Sequence, residues 1–356
     1  MRVIVALSGG VDSAVAALLM VRAGHEVHGL HMQNWEDDDG YCTAADDLQD
    51  ARAVARELDI PLHTVDLSAQ YRARVFELFL SELRAGRTPN PDVLCNREIK
   101  FGDCLHHAQR LGADRLVTGH YARIEHGPDG PALLKGLDPG KDQSYFLHAV
   151  RVAQFETVDM PLGRLQKAEV RDLARSAGLP VHAKADSTGI CFIGERPFRE
   201  FLRQHLSDAP GPILDSEGRQ WGEHPGLHHF TLGQRGGIGL GGLREASAEP
   251  WYVAAKRESD RALIVVQGKH HPLLQTRAVL TETVNWLVAP TADRFSAGVK
   301  LRYRQEDQQT EVEVRNDGTL FLRPEMPQRA VTPGQSAVLY VGERCLGGGV
   351  IAQTTL

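Results

Sequence analysis

The chain has 356 residues, more than one domain usually holds, and 42% of them are hydrophobic, enough for a sizeable core shared among two or three domains. Forty Lys and Arg against 46 Asp and Glu give a formal charge of -6, which excludes a broadly basic nucleic-acid binder and confines any such contact to local patches. Five cysteines with no C-x-x-C pair argue against both a zinc ribbon and a structural disulfide framework. From the start of the chain, Val3 to Leu7 reads as a buried parallel strand and Ala14 to Arg22 as the helix after it. The five apolar residues before Ser8 are too few for a signal-peptide core, and no apolar run approaches a membrane span, so a cytoplasmic location is expected. Further on come a strand at Val27 to Met32, a helix around Ala44 to Leu58, a strand at Leu62 to Val65, helices around Tyr71 to Leu83 and Lys100 to Leu111, and a strand at Arg115 to Thr118. This alternation predicts an α/β fold with a doubly wound parallel sheet. Helices at Lys167 to Ala177 and Pro197 to Leu206 follow. A Gly- and Pro-rich stretch over 207–272 predicts a small adaptor domain, and strand alternation from 273 onward, with a hairpin turn at Asn316-Asp317-Gly318, predicts a C-terminal β-barrel. The expected domains are therefore 1–206, 207–272 and 273–356.

Ser8-Gly9-Gly10-Val11-Asp12-Ser13 joins the first strand to the first helix. Glycines let the backbone approach phosphate oxygens, and the helix start presents unpaired N–H groups and the positive end of its dipole. Ser-Gly-Gly alone also suits any tight turn, whereas the full hexapeptide in this setting points to a nucleotide. It lacks the Gly-Lys-Ser/Thr ending of the familiar nucleotide loop and carries Asp12, and an acidic residue beside phosphates suggests Mg2+. Gly119-His120 falls at the carboxyl edge of the sheet, where open α/β folds hold ligands. The segment 86–96, with Pro89 and Pro91, reads as a stiff exposed loop. It carries Asp92 three residues before Cys95, with Arg97 and Lys100 close behind to favour a thiolate. A half-buried Cys95 anchoring the next helix is the plainer reading of that residue taken alone. A second cysteine, Cys191, stands in the Gly-bounded segment Ser187 to Gly194, where core packing is again the plainer reading in isolation. Together, a nucleotide loop and two loop cysteines imply adenylation of an oxygen followed by displacement with a cysteine-borne sulfur. Cys42, Cys104 and Cys345 have no comparable setting and read as structural.

Several longer motifs resemble those of the bacterial tRNA-specific 2-thiouridylases, members of the ATP pyrophosphatase superfamily. The hexapeptide at 8–13 identifies only that superfamily. Thr88 to Phe101, Thr118-Gly-His-Tyr121, Lys141 to Phe146 and Asp186 to Gly194 are more specific, and Gly226 to Arg235, Pro250 to Tyr252, Arg302 to Gln305 and Pro333 to Ser336 extend the likeness over nearly the whole chain. The resemblance implies an enzyme that adenylates the C2 oxygen of the wobble uridine, position 34, in tRNAs for glutamate, lysine and glutamine, and then transfers sulfur to it. It implies that Cys191 carries a persulfide, that Cys95 is the nucleophilic or resolving cysteine, and that Asp92 acts as acid or base. Ala6, Leu7, Ser8, Gly9, Gly10, Val11, Asp12, Ser13, Met32 and Gly119 would bind ATP. Asn90, Pro91 and Asp92 would touch the base, and His120, Lys141, Asp142, Gln143, Arg302, Tyr303 and Gln335 would contact the tRNA. The implied partners are the tRNA anticodon stem-loop and a persulfide donor, either a cysteine desulfurase or a sulfur-relay protein, with no membrane. Ala185 departs from the family, where lysine is commoner, which puts a phosphate contact there in doubt. An iron-sulfur cluster held by Asp92, Cys95 and Cys191 stays open as the lesser cofactor reading.

Charge gives a separate hint. A strand through Val299 to Arg304 would align Lys300, Arg302 and Arg304 on one face, suited to a phosphate backbone, although such faces are often merely solvated. The adjacent histidine pairs at 106–107, 228–229 and 270–271 are weak indications of metal, and none is assigned a metal. Two rivals remain. Another ATP pyrophosphatase would share the hexapeptide without needing two reactive cysteines, and a tRNA-binding or redox-sensing protein would not need the loop.

Overall fold

The structure, a computed structural model, describes residues 1–35, 44–186, 198–241, 247 and 249–356. Its first layer is a parallel sheet of β1 (Arg2–Ala6), β2 (Glu26–Gln33), β3 (Leu62–Asp66), β4 (Arg115–Val117) and β7 (Val158–Asp159), in the order β3-β2-β1-β4-β7. Strand alternation splits its side chains between two cores. Val3, Val5, Val27 and Val117 face the helices Val11–Arg22, Ala44–Glu57 and Lys167–Ser176, while Ile4, Leu30 and Leu116 face the helical runs 68–84 and 91–110. Burial on both faces is why β1 reads as a continuous apolar run. The order turns back on itself at β1, so the crevice between the carboxyl ends of β1 and β4 is the switch point where such sheets bind ligands.

A hairpin of β5 (Ala122–Gly127) and β6 (Gly130–Lys135) leaves this layer and joins the second one through Leu134 and Arg344. The adaptor is a four-stranded sheet in the order β10-β11-β8-β9, from β8 (Gly211–Leu214), β9 (Gln220–His224), β10 (Trp251–Arg257) and β11 (Ala262–Gln267), packed on Leu227, Phe230 and Ile238. Two short strands, β12 (Gln275–Thr276) and β18 (Gln328–Arg329), pair beside the C-terminal unit. That unit is a closed antiparallel ring: β13 (Ala278–Thr281), β17 (Leu320–Pro324), β16 (Gln308–Val314), β15 (Arg294–Lys300), β19 (Ser336–Val341) and β20 (Arg344–Thr355), closed by β20 on β13, with β14 (Asn285–Trp286) against β20. Gly318, at φ 79°, makes the turn after β16 that Asn-Asp-Gly announces. Val338, Tyr340 and Cys345 belong to the same core as Ile4 and Leu116, so barrel and first layer are packed as one body. No helix among the described residues is long and apolar enough to cross a membrane.

Three expectations are corrected. The first helix begins at Val11, not Ala14, because it starts directly from Gly10. The helix expected from Lys100 begins at Pro91: the Asn90 side chain accepts from the backbone N–H of Asp92 and Val93, and Pro91 occupies the first turn, where its missing N–H costs nothing. Cys95 therefore lies inside a helix, is only 4% exposed, and opens a stretch of wide π-type turns, Cys95–Cys104. Finally, β15 ends at Lys300 and residues 301–304 turn away, so Lys300, Arg302 and Arg304 do not share a strand face.

Candidate active site

Gly9 leaves β1 at φ 82°, a left-handed conformation that glycine adopts without strain, and a Cβ there would lie 2.3 Å from the Asp47 carbonyl oxygen. Gly10 then opens the Val11–Arg22 helix with no side chain capping it, which leaves the first-turn N–H groups turned to the crevice. The two serines brace the turn. Ser13 Oγ donates to the Gly10 carbonyl at 3.0 Å and accepts from the Ser8 N–H at 3.2 Å. From the other side of the switch point, Gly119 packs so closely that a Cβ would sit 2.8 Å from both the Asp12 carbonyl carbon and the Ser13 nitrogen. The loop and Gly119 thus form the floor of one cradle. Met32, at the end of β2, is half-buried against the core.

Around this floor stands a set of cations of which sequence reasoning singled out only Lys141, and that one for tRNA. Lys167 Nζ bonds Asp12 Oδ1 at 2.7 Å and Asp186 Oδ1 at 2.8 Å. Asp186 also takes Lys141 at 2.6 Å and Arg171 at 2.7 Å. Lys184 Nζ reaches the Gly9 carbonyl at 3.1 Å and the Asp47 carboxylate at 2.8 Å. Burial alone would raise the Asp186 carboxyl, but its bonds to Lys141 and Lys167 override this and hold it at about 2. Tyr121, from the quoted Thr-Gly-His-Tyr motif, donates to Asp12 Oδ1 at 2.7 Å, and its hydroxyl is pushed far up by burial and by the carboxylate. Three cations on Asp12 and Asp186, with Lys184 held at the Gly9 carbonyl by Asp47 and Asp50, stand beside an uncapped helix start and make a site suited to a polyphosphate once they turn to it. Sequence offered one clue, since Lys167 and Arg171 stand one turn apart on an amphipathic helix, but nothing tied that helix to residue 12.

The 91–110 helix supplies the second half. Asp92 is open to solvent at its edge, yet the surrounding protein pushes its carboxyl up, with the Lys100 charge opposing. The same Lys100 charge acts on His120, whose imidazole is held neutral mainly by burial, and on Cys104, whose thiol burial pushes to about 12. The Phe101 ring of this helix lies 5.5 Å from that of His120, the residue beside Gly119, which brings helix and cradle into one neighbourhood. Cys104 and Cys345 are buried free cysteines whose thiols burial pushes up to about 12, a setting that suits the structural reading. Cys191, its segment Ser187 to Gly194, Cys42 and the acidic run 36–39 lie outside the described residues.

Other expected contacts are engaged within the fold. Gly86 and Thr88 belong to a half-buried junction: Thr88 N–H donates to the Pro333 carbonyl at 2.9 Å, Gln335 Nε2 to the Thr88 carbonyl at 2.8 Å, and Lys256 Nζ to the Gly86 carbonyl at 3.1 Å. The segment expected as an exposed loop is thus held by barrel and adaptor together. His120, Asp142 and Gln143 face inward: Thr118 Oγ1 is 2.9 Å from His120 Nδ1, Asp142 accepts from Gly136, Ser144 and Lys300, and Gln143 accepts from the Tyr121 N–H. Arg302 donates to the carbonyls of Leu232 and Ala330, and Tyr303 packs 4.3 Å from the Phe146 ring. Arg304 alone of the expected basic triplet is exposed.

Three family models match consecutive parts of the chain: a tRNA methyl transferase HUP domain over residues 1–195, a tRNA methyl transferase PRC-barrel domain over 199–267, and an aminomethyltransferase β-barrel domain over 276–351. The tRNA-specific 2-thiouridylase MnmA of Xanthomonas axonopodis pv. citri is 53% identical over 355 residues, covering 99% of this chain and 94% of the relative. Its counterpart in Dichelobacter nodosus is 56% identical over 351 residues, covering 98% and 93%. Among solved structures, a 4-thiouridine synthetase in complex with RNA and bound ATP aligns with 57% of this chain and 50% of that one at 19% identity and a TM-score of 0.37, too slight a likeness to argue from.

Proposed function

The chain belongs to the tRNA-specific 2-thiouridylase family, enzymes that put sulfur on a tRNA uridine, and from that membership we propose how its residues divide the work. The enzyme is a sulfurtransferase that uses ATP to exchange the C2 oxygen of the wobble uridine for sulfur. The single observation that carries the residue assignment is the cradle of Gly9, Gly10 and Gly119 ringed by Lys141, Lys167, Arg171 and Lys184. Ala6 to Ser13, Met32 and Gly119 hold ATP, with the triphosphate at the helix start. There the uridine C2 oxygen attacks the α-phosphorus and pyrophosphate leaves. The surrounding cations favour that leaving group, because they meet charge that develops on it. Magnesium, when bound with the nucleotide, neutralises phosphate charge. Asp12 is the carboxylate suited to hold it, once Lys167 turns from Asp12 to a phosphate.

The terminal sulfur of a Cys191 persulfide then attacks C2 and AMP departs with the former C2 oxygen. Cys95 thiolate attacks the Cys191 sulfur, which releases 2-thiouridine and leaves a Cys95–Cys191 disulfide for an external thiol to reduce. Asp92, with its carboxyl pushed upward, is suited to carry a proton beside the base. Asn90 and Pro91 position that helix start for the uridine, which a single-stranded anticodon loop can splay outward. The division 1–206 for chemistry, 207–272 as adaptor and 273–356 as tRNA-binding barrel goes with this reading, as do a cytoplasmic location and a separate persulfide donor. His120, Lys141, Asp142, Gln143, Arg302, Tyr303 and Gln335 contribute to tRNA binding mainly by holding the surface in shape. A pyrophosphate-release assay with and without tRNA bearing uridine 34 tests the whole. AMP and pyrophosphate should appear only with acceptor tRNA, and ADP as product would overturn the reading.

A further inference from the structure

Asp208 lies between the Phe198–His205 helix and β8, and His228 and His229 stand together in the short turn Leu227–His229 of the adaptor. None of the three has a part in the chemistry above. Asp208 Oδ1 is 2.6 Å from Nε2 of His229 and 3.7 Å from Nε2 of His228, and one ligand atom from each residue lies within 4.8 Å of the other two. Neighbouring residues in a strand would point to opposite faces, but this tight turn brings the two imidazoles to 4.1 Å centroid separation, so both Nε2 atoms meet one carboxylate. Donors bound at about 2.0–2.2 Å around one tetrahedral ion stand roughly 3.3–3.6 Å apart, within the spread seen here. Side-chain shifts on the order of 1 Å would close the shell.

Two further observations point to a ligand. The His229 side chain is wholly buried, and His228 Nε2, on a side chain only 11% exposed and facing Asp208 Oδ1, has no hydrogen-bond partner among the described residues. The Asp208 side chain remains 30% exposed, which leaves a coordination position open toward water. Arg203 bonds the other carboxylate oxygen, Oδ2, at 3.1 Å from an exposed position, and so leaves Oδ1 facing the imidazoles. Two imidazoles and one carboxylate are the ligands of borderline transition metals, whereas magnesium and calcium take oxygen-only sets.

We propose that Asp208, His228 and His229 form a binding site for a zinc-class divalent transition metal, which ties the segment that opens the adaptor to its Leu227–His229 turn. Such an ion bridges positions 208 and 228–229 across the start of the adaptor sheet, and its role is to brace the adaptor's opening segment against that turn.

The test uses the full-length protein, freed of metal by a chelator and titrated with zinc and, separately, with cobalt. One equivalent should bind, cobalt should give the visible absorption of a four-coordinate nitrogen and oxygen site, and zinc should raise the melting temperature. His228→Ala and Asp208→Asn, both at partly exposed positions, should each weaken binding by about 10-fold or more and remove the zinc-dependent rise, with metal-free melting near that of the parent. Absence of binding would leave only a hydrogen-bonded Asp–His pair and overturn the site. Binding unchanged in both variants would also overturn it, as would cobalt bands of thiolate origin.

Discussion

Gly119 and Gly9 show how much of the cradle hangs on the absence of one carbon. At Gly119 a methyl would press 2.8 Å from the backbone of Asp12 and Ser13, atoms that cannot swing aside, so Gly119→Ala should displace the helix start. The expected outcome is a rise in the KM for ATP of about 10-fold or more at a melting temperature within a few degrees of the parent, which steady-state kinetics and calorimetry would check together. An unchanged KM would separate Gly119 from the nucleotide. Asp186 offers a pH test. Its folded-state carboxyl sits at about 2 against an ordinary value of 3.8, so it adds stability that is present above 3.8 and lost as pH falls through about 2. Asp186→Asn should therefore melt lower than the parent near neutral pH, and the gap should shrink from about pH 4 and close near pH 2. Because the ion cluster is partly exposed, high salt should narrow the gap as well.

Among the elements, the 91–110 helix departs most instructively from its reading. Two prolines in three residues announce a stiff loop, yet a proline at the first helical position fits that place, and Asn90 supplies the cap. The consequence is that Cys95 is presented from a helix and not from a loop, buried beside Cys104. Asn90→Ala should cost about 1 kcal/mol of stability through the lost cap and, by loosening the turn that carries Asp92, should reduce kcat more than it changes ATP binding. A full stability loss with no change in kcat would make Asn90 a cap and nothing more. Cys95→Ser should retain persulfide on the protein but stop multiple turnover, read by mass spectrometry after incubation with a persulfide donor, which hands over sulfane sulfur without a separate oxidant. Persulfide on Cys42, Cys104 or Cys345 instead would contradict the assignment.

At the scale of the molecule, the barrel is held to the rest by buried polar ties as well as by a shared core. Arg302 donates to carbonyls of the adaptor and the barrel, and Gln335 to Thr88. Hydrogen bonds from a charged group in such a place are worth about 1.5–3 kcal/mol, so Arg302→Ala should destabilise the protein by that order and weaken tRNA binding through misplaced surfaces. The slope of log affinity against log salt should then stay nearly constant. Arg304, exposed on the turn beyond β15, is the residue whose loss should flatten that slope by about one unit or less. Titrations of both variants at several salt concentrations would decide which cation meets phosphate.

By itself the sequence determined what depends on neighbours along the chain. The strand, glycine pair and helix of 3–22, the Asn-Asp-Gly hairpin, the change to strand alternation after 273 and the motif that names the family are all local patterns, set by periodicity and turn chemistry. What the fold decided lies between residues far apart. Lys167 meets Asp12 across 155 positions, Gln335 meets Thr88 across 247, and no periodicity within either segment encodes that meeting. The basic triplet at 300–304 failed as a strand face for the same reason: alternation describes a side chain's direction only while the strand continues, and β15 ends at Lys300, where ties to Asp142, Leu232 and Ala330 take over the charged groups. Tertiary contacts, which satisfy buried polar groups wherever the topology brings them, chose the partners of these side chains.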